Sequence, residues 1–407
     1  MSRTNTAPQA PEVPSHVPPE LVRNVNLFND PAIETDPYAF VAKLHDGPRT
    51  IFNVGIPMRE PAWTPTRAED IRAILQDPAN FSSEGVVGFS RLIGESWSTI
   101  PSETDPPAHG AYRALLNPLM SPKRIAEMED AVRERAVQLV DALKGQTSTE
   151  FMKTFGRAFP VYIFLQLMGL PTERVEQFYG WMHDVLHGQD MAERSRAMSE
   201  VASYLRGVAK ERAGKPADDL VSTVVNARIE GRALNDDEVI GMLVLIFGGG
   251  IDTVANMLGF CFLHLARDPA LQAHLAAHPS EIPSAVEEFL RRYTIVMPYR
   301  KVVNDIEAAG VQMKAGDWVH CLLPAADIDP AEFENPSRFD PERSANRHIA
   351  FSTGPHRCVG SHLARREMAI ALEEWLTRMP RFRLADGEAY HCHGGLFGVD
   401  HLDLVWD

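Results

Sequence analysis

Apolar residues recur at three- and four-residue spacing over most of the chain, the period of helices that bury one face. The pattern is clear in EDIRAILQ (69–76), SPKRIAEMEDAVRERAVQLVDAL (121–143), AERSRAMSEVASYLRGVAKER (192–212), NDDEVIGMLVLIF (235–247) and SAVEEFLRRY (284–293). Ser121-Pro122 and Asn235-Asp236-Asp237 supply helix starts, a side-chain cap followed by proline or acids in the first turn. Period-two alternation is confined to TIFNVG and AWTPT near residues 50–66 and to RKVVNDIEAAGVQMKAGDWVHCLL (300–323), around glycine turns. The expected fold class is mainly α with a minor β region. No repeat, long linker or charge block divides the chain, so residues 21–407 are expected to form one domain behind a loose, proline-rich tail over residues 1–20.

At 407 residues the chain can bury a large core. A formal net charge of −15 without any basic stripe argues against nucleic acid as a partner. The four cysteines, Cys261, Cys321, Cys358 and Cys392, lie too far apart for a disulfide framework and fit a reducing compartment. The N-terminus carries no signal-peptide pattern, and the most apolar run, Val239 to Ile251, reaches 13 residues before Asp252 interrupts it. That is short of a membrane span. A cytoplasmic protein without membrane attachment is expected.

The candidate chemistry lies in FSTGPHRCVGSHLARRE, residues 351–367. A single buried cysteine is ordinarily inert packing, and Cys261 and Cys321 suit that role. Cys358 differs, because Gly354 and Gly360 bracket it in a loop that can approach a flat ligand closely before the next helix begins. A helix N-terminus also favours the thiolate, a good anionic metal ligand. Nucleophilic catalysis by the same sulfur would need a histidine placed by the fold, and no local signature supplies one.

Phe351, Gly354, His356, Cys358 and Gly360 resemble the haem-binding loop of the cytochrome P450 superfamily, with Ser352 where a second glycine is common. Three further motifs agree in order. Glu288 and Arg291, three apart on one helix face, resemble the family's structural E-x-x-R pair, for which Arg343 is the joining arginine. GGGIDTVAN (248–256) places Asp252 and Thr253 behind glycines that cost a helix roughly 1 kcal/mol each, and a close-approach role accounts for them better than chance. In isolation Thr253 would only bond back to the preceding turn and Asp252 would make an ion pair. The resemblance instead implies that Thr253 orients water at bound dioxygen and that Asp252 relays protons. In TDPPAHGAYR (104–113), His109 and Arg113 share a helix face; by resemblance they contact haem propionates together with Arg300 and His356.

The resemblance runs from about residue 30 to the end, and GGIDTVAN, EEFLRRY, GSHLARRE, EWLTRMP and LVWD look like the bacterial camphor monooxygenase branch. It implies haem b (iron protoporphyrin IX) held by Cys358, a cytochrome P450 fold, dioxygen as oxidant, and electrons from a 2Fe–2S ferredoxin with its NAD(P)H-dependent reductase. Arg72, Arg113 and Arg357 are candidates for the docking patch. Pocket positions diverge from the branch. Trp97 falls where the camphor enzyme has a tyrosine that holds the substrate ketone, and an indole donates but cannot accept. A compact apolar substrate of terpenoid or norisoprenoid type is therefore expected, touching Val87, Trp97, Thr99, Leu245, Gly248, Gly249, Val296, Met297, Leu396 and Phe397. Peroxide-driven oxidation and a non-catalytic haem or ligand carrier are the alternatives within the same cofactor. A non-haem thiol or zinc enzyme using Cys358 or the cluster His391-Cys392-His393, with His401 nearby, is a third. On a strand its outer histidines would share a face, but no further well-spaced ligands accompany them.

Overall fold

Asn235 opens a long apolar helix by a reciprocal cap: its Oδ1 accepts from the Glu238 amide at 2.9 Å, and Glu238 Oε2 accepts from the Asn235 amide at 2.7 Å. In the computed structural model, which describes residues 12–57, 59–188, 190–379 and 381–406, this helix runs Asp236–Ile251. It is interrupted at Asp252 and resumes as Thr253–Arg267. By composition the segment is long and apolar enough to cross a membrane, yet it is a core helix, most of it buried. Its first half packs on helices Ala158–Met168, Val175–His187 and Met191–Arg212, and its second on helices Ile282–Arg292 and Ser361–Arg378. Phe247, Leu258, Phe260 and Phe262 are buried along it, and each such side chain stabilises the fold by roughly 1.5–3 kcal/mol.

The expected strands form at the edge of this helical body. A six-stranded mixed sheet runs in the order Val22–Arg23, Thr50–Asn53, Ala62–Pro65, Trp318–His320, Tyr299–Val302, Phe81–Ser82. Arg300 sits opposite Val319 in an antiparallel pair and is buried, while its neighbour Lys301 is exposed. A second sheet, not foreseen as such, gathers Gly398–Val405 between Tyr390–His393 and Arg383–Leu384, with Ser148–Glu150 added from the middle of the chain.

Two expectations are corrected here. The segment 121–143 is two helices, Pro122–Glu127 and Glu129–Asp141, joined at Met128. Of the tail, residues 1–11 lie outside the described residues, but the following ones pack down: Val17 is buried and the His16 ring bonds Asp317 at 2.8 Å.

Beneath the cysteine loop, Glu288 and Arg291 are fully buried and joined by two bonds of 2.7 and 2.8 Å. The Arg343 guanidinium reaches the same carboxylate at 3.3 Å, and the Asp340 amide and the Asn346 side-chain amide also donate to it, at 2.9 and 3.2 Å. Arg291 spends its remaining protons on the carbonyls of Asp327, Pro336 and Arg338. Every polar atom of the pair is satisfied, the condition under which a buried ion pair holds a fold in register. It fixes the 336–346 segment to the helix that precedes the Tyr299–Val302 strand.

Candidate active site

Cys358 follows a tight loop and its amide donates to the Phe351 carbonyl at 2.9 Å. Gly354 has φ +72°, and a Cβ there would stand 2.4 Å from the Leu75 carbonyl oxygen, so conformation and space both require glycine. Ser352 is also left-handed, at φ +61°, which is the physical reason a glycine suits that position. The surface that Cys358 exposes belongs to an internal cavity of about 400 Å³. Burial raises the thiol pKa, while the Gly360 amide and the guanidiniums of Arg113, Arg357 and Arg365 work in the opposite direction. A bound cation would tip that balance to the thiolate.

His109, Arg113, Arg300 and His356 line one side of the same cavity. The two imidazoles lie 4.4 Å apart, centre to centre, and the Nε2 atom of each is buried without a hydrogen-bond partner among the described residues. Arg300 is buried and its guanidinium donates to the Tyr299 carbonyl at 2.7 Å. Among the described residues no carboxylate makes an ion pair with Arg113 or Arg300. Burial lowers the pKa of both arginines, and burial followed by the charges of Arg300 and His109 brings His356 down to about 3. Two buried groups, His109 and Arg300, and two half-buried ones, Arg113 and His356, converge on a space whose one lining carboxyl, Glu367, is held neutral by burial. Such a set fits a ligand that brings carboxylates, and with the facing thiol it fits haem, whose two propionates would take the donors while Cys358 takes the iron.

On the opposite wall Gly249, Gly250 and Thr253 face the cavity. The glycines have separate reasons. A Cβ on Gly250 would meet the Phe164 ring at 2.2 Å, whereas one on Gly249 would meet nothing within 4 Å and would project into open space. Thr253 Oγ1 donates to the Gly249 carbonyl at 3.0 Å, the turn-bonding geometry weighed for an isolated threonine. Asp252 points away from the cavity into the protein. Its Oδ2 accepts from Asn256 Nδ2 at 2.9 Å and lies 3.5 Å from His187 Nε2. Burial works against its charge, yet His187, with His393 and His183 farther off, holds its pKa below the ordinary range.

Of the residues expected to touch substrate, Leu245, Gly249 and Val296 line the cavity. Val87, Trp97, Thr99, Gly248, Met297, Leu396 and Phe397 do not. Thr99 gives both its amide and its hydroxyl to Glu103 Oε2, at 2.8 and 2.7 Å, and the other oxygen of that carboxylate ties down the amides of Val87 and Gly88. The Trp97 indole donates to Glu95, which also binds Arg206. Gly248 faces Met182 and Phe89, and Phe397 packs edge-on against Tyr38. Leu116, Met120, Phe164, Ile246, Leu290 and Ile295 complete the apolar wall without having been foreseen. Of the proposed docking arginines, Arg357 is exposed, Arg113 faces the cavity, and Arg72 is tied to Glu332 at 3.0 Å and to the Arg347 carbonyl.

The histidine hairpin is not built as a metal site. A β-bulge between His391 and Cys392 breaks the expected alternation. His391 is half-exposed against Asp400, His393 is turned inward, and His401 bonds Asp403.

The sequence profile of the cytochrome P450 family matches residues 175–278 and 282–385. The chain is 43% identical over 402 residues to a probable cytochrome P450 127A1 of Sinorhizobium fredii, covering 97% of both chains. It is 32% identical to the mycinamicin IV hydroxylase/epoxidase of Micromonospora griseorubida, across 86% of this chain and 91% of that one. Among solved structures, CYP101C1 superposes with a TM-score of 0.86 at 31% identity, over 97% of this chain and 100% of that one. CYP101J2 superposes at 0.85, also with 31% identity, over 97% and 99%.

Proposed function

Because the chain belongs to the cytochrome P450 family and is a haem-thiolate monooxygenase, we propose that it hydroxylates a compact, mainly apolar small molecule of terpenoid or norisoprenoid type. The observation that carries this reading is the cavity itself. Its wall above the cysteine is built from Leu245, Ile246, Phe164, Val296 and Ile295. Such a wall selects for shape and apolar area. We place dioxygen as the oxidant and a 2Fe–2S ferredoxin with its NAD(P)H-dependent reductase as the electron source, with the exposed Arg357 on the cysteine side as part of the docking face, in a cytoplasmic protein.

Haem bound through Cys358 supplies oxygen activation and insertion into a C–H bond. The chain supplies the rest. Cys358 contributes an anionic sulfur from a loop held by Gly354, and Arg113, Arg300, His109 and His356 neutralise the propionates. The apolar wall excludes water and presents one face of the substrate. The Thr253 hydroxyl, released from the Gly249 carbonyl, orients a hydrogen-bonded water, and the Asp252 carboxylate one residue earlier takes up protons and passes them on to it.

The test is a titration of the ferric protein with terpenoids and norisoprenoids, followed by turnover with ferredoxin and reductase. A shift of the Soret band to shorter wavelength, with hydroxylated product, is expected for compact apolar compounds. Binding and turnover confined to macrolides would overturn the substrate reading.

A further inference from the structure

Five polar atoms without hydrogen-bond partners among the described residues are buried in one place behind the Asp252 interruption: His183 Nδ1, His187 Nε2, His393 Nε2, Asp252 Oδ1 and Asn256 Oδ1. They come from three elements. His183 and His187 lie at the end of the Val175–His187 helix, Asp252 and Asn256 on the interrupted central helix, and His393 on the C-terminal hairpin. Buried polar atoms ordinarily find partners, and a cluster of orphans marks a place where hydrogen bonds are exchanged.

The cluster is continuous with solvent. His391, half-exposed, lies 3.3 Å from Asp400 Oδ2; Asp400 Oδ1 lies 3.7 Å from His393 Nε2. The His393 ring packs edge-on against His187 with centres 4.2 Å apart, and His187 Nε2 lies 3.5 Å from Asp252 Oδ2. The next residue, Thr253, lines the haem cavity. We propose that His393 and His187 are positioning residues of a proton-entry path that runs from the His391–Asp400 rim to Asp252, and so to the distal side of the cavity. The inference rests on the distal role given above to Asp252 and Thr253.

Charge and tautomer agree with this direction. His393 Nδ1 faces the Gly394 carbonyl at 3.2 Å, which leaves Nε2 free to take a proton from the rim. Each ring takes one proton and passes one on, so both end as they began and no electrons move. An imidazole suits the position beside Asp252 because it exchanges protons near neutral pH, which a guanidinium cannot do. The groups facing the pair are His183 and Asp184 on the helix of His187, Tyr179 stacked on His183, Arg157 over the Tyr179 ring, and Asp400 and His391 on the hairpin. Burial, then the neighbouring His187, lowers the His393 pKa to about 4, so this ring is neutral at rest and carries a proton only in passing.

The test labels the histidine rings of the haem-loaded protein with ¹⁵N, keeps it diamagnetic as the ferrous carbon monoxide form, and reads how fast each ring N–H exchanges with solvent. Asp252→Asn and His393→Phe are each expected to slow exchange at the His187 ring. An exchange rate indifferent to both overturns the proposal. In turnover with β-ionone as probe, His187→Phe is expected to lower product per electron by about tenfold. His187→Gln, which keeps an N–H for Asp252 but cannot relay a proton, is expected to lose as much; full rescue by glutamine would make the contact structural and overturn the relay. A preparation without the haem-thiolate carbon monoxide band fails the reading of the site itself. A normal band with full coupling in Asp252→Asn removes the distal role and the path with it. A loss in Asp252→Asn with none in the histidine variants overturns the path alone. Absence of β-ionone turnover counts against the substrate class, and the exchange rates of the histidine rings then decide.

Discussion

Arg291 and Glu288 face each other with no exposed surface on either side chain, joined by bonds of 2.8 and 2.7 Å. Removing one partner leaves the other charge buried and alone, at a cost of about 3–5 kcal/mol. Glu288→Ala and Arg291→Ala are therefore expected to be recovered as unstable, haem-poor protein. Arg291→Lys is expected to fail as well, because an ammonium cannot serve the carboxylate fork and three carbonyls at once. Denaturant midpoints and haem content per chain measure both effects.

Ser352 pays for its left-handed backbone, and its buried hydroxyl has no partner among the described residues. Ser352→Gly is expected to raise stability by about 0.5–1 kcal/mol while leaving the carbon monoxide band in place. Thermal unfolding of the haem-loaded protein measures the gain, and an unchanged or lower midpoint would contradict the account of the loop.

His320 is fully buried, its ring stacked 4.2 Å from that of Tyr299. Burial, then the charge of Arg59, lowers its pKa to about 3 from an ordinary 6.5. The unfolded chain therefore takes up a proton before the folded one does. The stability contribution is intact above pH 6.5 and is lost progressively as pH falls toward 3. His320→Phe, which keeps a ring on Tyr299, is expected to flatten the fall in unfolding free energy between about pH 6 and about pH 4. An equal slope in both proteins would contradict it.

The Thr253 hydroxyl is held by the Gly249 carbonyl at 3.0 Å and faces the cavity. Thr253→Ala is expected to consume electrons at a similar rate while product per electron falls by about tenfold and peroxide rises; Thr253→Ser retains most of the coupling. Full product yield in the alanine variant would remove the residue from the distal role.

Much of this site was legible because short segments carry it whole. The cysteine loop, the His109/Arg113 helix turn and the glycine-rich turn before Thr253 each place their side chains by local geometry, and the cavity gathers them. The Asn235 cap and the Glu288–Arg291 spacing were equally local. The substrate wall was not. Phe164, Leu116 and Leu290 reach the cavity through the packing of distant helices, and no spacing along the chain encodes that. Trp97 and Thr99 lie outside the cavity lining for a related reason: Glu95 and Glu103, two and four residues away, bind their polar atoms. The hairpin histidines changed meaning because a bulge sends His391 outward and His393 inward toward His187, a residue more than two hundred positions earlier.

The most direct measurement is the absorption spectrum of the reduced protein with carbon monoxide, wild type beside Cys358→Ala, at equal haem loading. A Soret band strongly shifted to longer wavelength in the wild type and lost in the variant is the expected result, since only an anionic sulfur on the iron produces it. The same band in both proteins would place the iron ligand elsewhere and contradict the site built here around Cys358.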